Sequence, residues 1–294
     1  MNNMKYPVYF LAILVLLYAG CRQSRISPTK GTITVEVDSS IAPIIKKEAK
    51  VFDSLYVNAK LILDTVSPVQ GMVDLLNKKV RMYVCPRYFN NRELDFIKKE
   101  KLDIKTFKFC YNALAVIASA KNPLSELRTD VLKDELLGKR SGNKIIIPPP
   151  STSTYQYIMK DILDGKDPAG ARIEKNEEEI LNKIRNSDDE LGIVSFNLVQ
   201  DSSGIKFIKL GDVNHNNVEN GGKNLEVNYF TPHPGFVLKN YYSYKQTVYI
   251  YLSEVEMSPA SGFTTFLTNY EGQKIALGEN LAPLAVPVKI NEFQ

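Results

Sequence analysis

One stretch constrains the fold more than any other: Pro148-Pro149-Pro150-Ser151-Thr152-Ser153-Thr154-Tyr155-Gln156-Tyr157-Ile158-Met159. The apolar run Lys144–Ile147 reads as a strand, and the prolines end it because proline offers no N–H to a ladder. Ser and Thr side chains then cap the unpaired N–H groups of a first helical turn. Tyr155, Ile158, Met159 and Ile162 continue at helical spacing, which buries one face. The segment is therefore a strand, a hydroxyl-lined turn and a helix start. Free N–H groups at the positive end of a helix dipole attract anions. One such turn is explained by capping alone, so a site needs several.

Two more turns of this kind precede it. Thr32-Ile33-Thr34-Val35-Glu36-Val37 alternates as a strand does, and Asp38-Ser39-Ser40 follows. Ile41, Ile45, Ala49, Phe52 and Tyr56 then share a helix face, with Ser40 placed as N-cap. Leu61-Ile62-Leu63 is a second strand, Thr65-Val66-Ser67 a turn, and Pro68 fits the first helical position before Met72, Leu75 and Leu76. A third strand, Val80 to Cys85, ends at Pro86-Arg87, and Asn91 opens another helix. In open α/β sheets ligands gather beyond the carboxyl ends of the strands, where Ser39-Ser40, Ser67 and Thr152-Ser153-Thr154 would converge. Hydroxyls and amides are cheaper to dehydrate than full charges and hold an oxyanion by charge-assisted bonds.

The chain's 294 residues, 44% of them hydrophobic, suffice for two lobes with separate cores. Its net charge is +4, or +3 once Lys5 is removed with the leader, too slight to point to nucleic acid. Lys5 precedes an apolar run from Val8 to Ala19 that is shorter than the ~20 residues a membrane span needs and has the form of a signal-peptide core. Ala19-Gly20-Cys21 resembles the end of a bacterial lipobox, which implies lipidation at Cys21; Tyr18 stands where Leu is usual. An uncleaved anchor or an ordinary secretory cut is the alternative, and both also export the chain. Arg22 to Lys30 is polar and aperiodic, as a tether is. Cys85 and Cys110 lie in apolar strand-like runs and are expected as buried free thiols. No metal site is expected, because His215 and His233 are the only histidines and the Asp188-Asp189-Glu190 run reads as an exposed helix end.

Further along, Asn122-Pro123 breaks the Ala113 to Ala118 strand and marks a crossing between lobes. Leu124 to Gly138 has helical spacing with Gly138 as its stop, and Glu174 to Glu190 reads as a solvated amphipathic helix over Ile180, Leu181 and Ile184. Asn214 to Lys223 is a polar loop. Thr231-Pro232-His233-Pro234-Gly235 belongs to the return crossing, before the strand Thr247 to Leu252. Phe263 to Asn269 is helical, and Glu271-Gly272-Gln273 reads as a structural turn.

The order of blocks resembles the phosphate-type solute-binding proteins of ABC transporters over nearly all the mature chain. The resemblance rests on Ser39-Ser40-Ile41-Ala42-Pro43, Ser67 with Gly71, Arg87, Tyr111 to Ile117 with Lys121-Asn122-Pro123-Leu124, Thr152-Ser153-Thr154, Leu191-Gly192-Ile193-Val194, and Tyr270-Glu271-Gly272-Gln273 with Ala282-Pro283-Leu284. It implies an α/β fold of two lobes joined by two hinge strands, the type II periplasmic-binding arrangement. Residues 1–20 would be the leader, 21–30 the tether, 31–120 the first part of lobe one, 121–230 lobe two, and 231–294 the return to lobe one. The implied ligand set is Ser39, Ser40 and Ser67 facing Thr152, Ser153 and Thr154, with Arg87 supplying a planar fork of donors or, alternatively, pairing with Glu93. Two departures bear on phosphate: the family's usual Ser-Gly-Thr is here Thr152-Ser153-Thr154, and Pro148 stands where phosphate binders often have arginine.

The sequence places no Ser/His/Asp order, paired carboxylate or thiol/His pair on the hydroxyl turns, so no enzyme is expected. The resemblance implies a lipid-anchored, periplasm-facing protein that closes on a small inorganic oxyanion, phosphate foremost, and delivers it to an inner-membrane ABC permease, with no cofactor. The competing reading is a scaffold or sensor that keeps the shape and has lost transport.

Overall fold

The computed structural model describes residues 26–199, 201–212, 227–254 and 257–285. The leader, Cys21 and the Asn214 to Lys223 loop lie outside them. Strand β1 (Gly31–Asp38) is followed by α1 (Ala42–Leu55), β2 (Ala59–Val66), α2 (Pro68–Leu76), β3 (Met82–Cys85) and α3 (Asn91–Lys99). β1 is flanked by β2 and β3, parallel to both, so three successive strand ends point the same way. Ile45, Ala49 and Phe52 on α1 are buried against this sheet, as their spacing predicts, and Ile44 is buried beside them. Gly71 on α2 admits the Tyr83 ring, where a Cβ would lie 2.3 Å from the ring edge.

Strand β4 (Lys105–Ser119) is long enough to serve two cores. Its first half pairs with β12 (Lys245–Leu252) and carries Phe109 and Cys110 into the core around α1. Its second half pairs with β8 (Glu190–Ser195), and Ala113 to Ala118 are fully buried in a second core. That core is completed by β6 (Lys144–Ile147) and β7 (Ala171–Ile173), parallel to one another, and by α4 (Thr129–Leu136) and α6 (Glu177–Arg185). The chain thus builds two α/β lobes on one continuous sheet, ordered β2-β1-β3-β12-β4-β8-β6-β7. β4 and β12 are the strands that join them. β9 (Ile205–Phe207) and β13 (Ala282–Pro283) also pair with β4.

Several local expectations change. Thr65 and Val66 remain in β2, because its register with β1 runs unbroken to Asp38 opposite Val66. The 124–138 segment is not one helix: Glu126–Arg128 forms β5, which with β10 (Lys209–Gly211) and β11 (Tyr229–Phe230) makes a small sheet, and only α4 is helical. The chain passes between lobes within β4, before Asn122-Pro123, because the apolar run from Phe109 contains no breaker. Glu271-Gly272-Gln273 lies in a helix, α9 (Tyr270–Gly278), capped by Asn269 and preceded by α8 (Pro259–Thr268). Buried Gln273 donates to the Phe109 and Leu267 carbonyls and fixes that helix to β4. Cys85 and Cys110 are free and buried.

Candidate oxyanion site

The strand ends of both lobes meet at Asp38, the last residue of β1, which is fully buried. One carboxylate oxygen accepts from the Ser40 amide (2.9 Å) and hydroxyl (2.6 Å). The other accepts from the Ser153 hydroxyl (2.5 Å). Ser153 opens the short helix α5 (Ser153–Tyr157) behind β6, so this bond crosses from lobe to lobe. An aspartate turned back onto the amide two residues later is a local Asx motif, and it recruits Ser40 away from capping. Accordingly α1 begins after Ile41 with no side-chain cap, and Ser40 is not its N-cap.

Thr154, next to Ser153, donates to a different carboxylate: its Oγ1 lies 2.6 Å from Glu177 Oε1, which also accepts from the Ser195 amide at 2.9 Å. A polar chain connects the two acids. Asn197 Nδ2 donates to the Ser40 carbonyl (2.9 Å), and Asn197 Oδ1 accepts from Asn112 (2.9 Å) and Ser195 (2.8 Å). Asn112 also donates to the Ser195 hydroxyl at 2.7 Å. All of these residues are buried. Burial pushes the Asp38 carboxyl above its ordinary range, while the Ser153 and Ser40 donors and the Arg87 charge pull it back. Burial raises Glu177 to about 7, against the Thr154 and Ser195 bonds, with Asp38 adding to the rise.

The other expected residues occupy different places. Ser39 is exposed on the turn. Ser67 caps α2 by accepting from the Gln70 amide, and Thr152 caps α5 by accepting from the Tyr155 amide, each at 3.2 Å. Arg87 makes a two-pronged pair with Glu93, both contacts at 2.8 Å, and donates to the Pro68 carbonyl. Burial lowers the guanidinium's affinity for its proton, and Glu93 more than reverses that. Of the two readings of Arg87, the pairing with Glu93 is the one observed, and the guanidinium's charge also lowers the Asp38 carboxyl's affinity for its proton. The structure joins Ser40 and Ser153 through the two oxygens of Asp38, places Arg87 with Ser153 in one cleft lining, and leaves Ser39, Ser67 and Thr152 outside the cluster.

The sequence reading missed Asp38, Glu177, Asn112, Ser195 and Asn197. Asp38 had a signal, a carboxylate immediately before a serine pair at a strand end. Glu177 had none, since it sits among Glu178 and Glu179 in a charge-rich helix, yet it alone of the three is buried.

Beside the cluster opens a cleft of about 880 Å³ between the lobes. Arg87 and Ser153 line it, with Tyr88, Tyr157, Tyr249 and Gln246. Among the described residues no group of three or more His, Cys, Asp or Glu is placed to hold a metal ion, and no helix is long and apolar enough to cross a membrane.

Comparison with known proteins agrees with this architecture. A putative phosphate ABC transporter substrate-binding protein with bound phosphate from Clostridium perfringens superposes with TM-score 0.70 at 16% identity, covering 86% of this chain and all of its own. An ABC-type phosphate transport receptor from Vibrio cholerae gives 0.66 at 14% identity, covering 86% and 100%. The substrate-binding domain of a putative molybdenum ABC transporter from Clostridium difficile gives 0.55 at 15%, covering 86% and 99%. At these identities the likeness is one of fold. No curated protein matches the chain. A family model described as a PBP superfamily domain matches residues 23–271, and on that match the chain belongs to the PBP superfamily.

Proposed function

We propose that this chain is a lipid-anchored, extracytoplasmic solute-binding protein that captures a small oxyanion, phosphate foremost, between its lobes and passes it to an ABC permease. The observation that carries this reading is the meeting of the Ser40 and Ser153 hydroxyls, one from each lobe, on a single pair of negatively charged oxygens. The Asp38 carboxylate stands there as an internal oxyanion. An incoming anion would exchange with it for Ser153 and draw on Arg87, and closing around the ligand would shift the population toward the closed form. A carboxylate accepts hydrogen bonds and donates none. Asp38 therefore favours an anion that carries a proton, as phosphate does and sulfate does not. The solved relative with bound phosphate supports the same choice. The lobe limits of 31–120, 121–230 and 231–294, the leader and the lipid at Cys21 belong to this proposal, as does export to the cell envelope.

A second reading is favoured by one observation: Asp38 already satisfies both hydroxyls, so the lobes can close with no ligand. That suits a scaffold or sensor. Calorimetric titration of the leaderless protein with phosphate, sulfate and molybdate separates them. Heat from phosphate is expected; no heat from any anion, with the fold confirmed by circular dichroism, would establish the second reading.

A further inference from the structure

The interlobe cleft is much larger than a bare phosphate ion requires. At about 880 Å³ it falls within the range of roughly 300–1,000 Å³ typical of pockets that enclose small organic molecules. It also holds apolar surface that a purely inorganic guest would leave uncovered. Val69 and Val73 of α2 and the rings of Tyr88, Tyr157 and Tyr249 give it apolar walls. Its charged groups balance in sign: Arg87 is paired with Glu93, and the lining holds two further cations, Lys160 and Lys245, and two further carboxylates, Asp161 and Asp167. Its hinge side carries Gln246, which is 3% exposed and whose Nε2 has no hydrogen-bond partner. A buried, unpaired amide donor costs free energy until an acceptor arrives. Ser153 and Arg87 belong both to the cleft lining and to the surroundings of Asp38, so the apolar space begins where the oxyanion position ends.

We infer that the natural ligand is a phosphate monoester with a compact, uncharged organic body. Its phosphoryl oxygens take the Ser153 and Arg87 end, and its body lies against the tyrosines with an acceptor group on Gln246. This rests on the oxyanion reading above and names the ligand class of the same site. Tyrosine rings offer large apolar faces at small entropic cost, which suits a body of that kind.

The test is calorimetry of the leaderless protein at pH 6, where about half of a monoester still carries the proton that Asp38 accepts. The probes are inorganic phosphate, glycerol 3-phosphate and p-nitrophenyl phosphate. The expected result is at least one ester binding tenfold or more tightly than inorganic phosphate. In Y88A, altered at an exposed position and so safe for folding, that ester should weaken about tenfold, with Q246L as a second variant. Inorganic phosphate binding as tightly as both esters, or an ester preference untouched in Y88A and Q246L, would overturn the inference and leave the oxyanion reading standing. Absence of binding by all three probes would overturn both.

Discussion

Asp38→Asn isolates the role of the built-in charge. The carboxylate accepts three bonds, from the Ser40 amide, the Ser40 hydroxyl and the Ser153 hydroxyl. Asparagine has nearly the same shape, keeps an oxygen for Ser40, and offers Ser153 an N–H with its hydroxyl oxygen as acceptor. The closed arrangement therefore survives the change, and what disappears is the negative charge an entering anion must face. Two unit charges about 4 Å apart interact by about 4 kcal/mol at an effective dielectric near 20. Part of that is offset by the donors that converge on the site, leaving about 2–3 kcal/mol, a factor of roughly 30–150 in affinity. Sulfate, with no proton to share, should gain the whole factor. Phosphate loses the bond from its own O–H to the carboxylate, worth about 1.5–3 kcal/mol, so its affinity should change less than tenfold. The expected outcome in paired titrations of wild type and D38N at pH 7 is a collapse of phosphate-over-sulfate preference. Sulfate binding that stays unchanged or weakens in D38N would refute the assignment of Asp38 to the ligand's surroundings.

Other perturbations follow from the same geometry. Ser153→Ala removes the interlobe bond to Asp38, a charge-assisted contact worth about 1.5–3 kcal/mol, and should shift the ligand-free protein toward an open form, read as a larger radius of gyration in small-angle scattering. Glu48 is fully buried with both carboxyl oxygens unpartnered, and burial, aided by Glu279, pushes it up to about 9. A raised folded value means stability is greatest below the unfolded value of 4.5 and falls as pH rises toward 9. At pH 7 this amounts to about 3 kcal/mol, so Glu48→Leu should raise the melting temperature more at pH 7.5 than at pH 5; equal gains at both would contradict the assignment. Burial pushes Cys85 up to about 12 and Cys110 well above its ordinary value, so neither thiol should react with a disulfide reagent at pH 8 until denaturant is added.

Much of this was legible in the chain itself. Period-two and period-3.6 patterns located β1, α1 and α6, because a half-buried element writes its buried face into the sequence, and β6 was legible as a short apolar run closed by prolines. Ser67 as a cap needed nothing beyond Ser-Pro at a helix start. The misreadings have different causes. Ser40 fits an N-cap of α1, but its near neighbour Asp38 takes it in a local turn. Glu271 to Gln273 fit a turn, but Gln273 is held in a helix against the distant Phe109 carbonyl.

The sequence by itself determined that strand ends bearing hydroxyls would alternate with amphipathic helices, since local propensity and burial act over a few residues. Only the tertiary structure decided which hydroxyls share a target, because Asp38 and Ser153 are 115 positions apart and meet solely through the pairing of β4 with β12 and β8. It also decided that the meeting point holds a charge of the protein's own, for a carboxylate's environment is made by whatever folds over it.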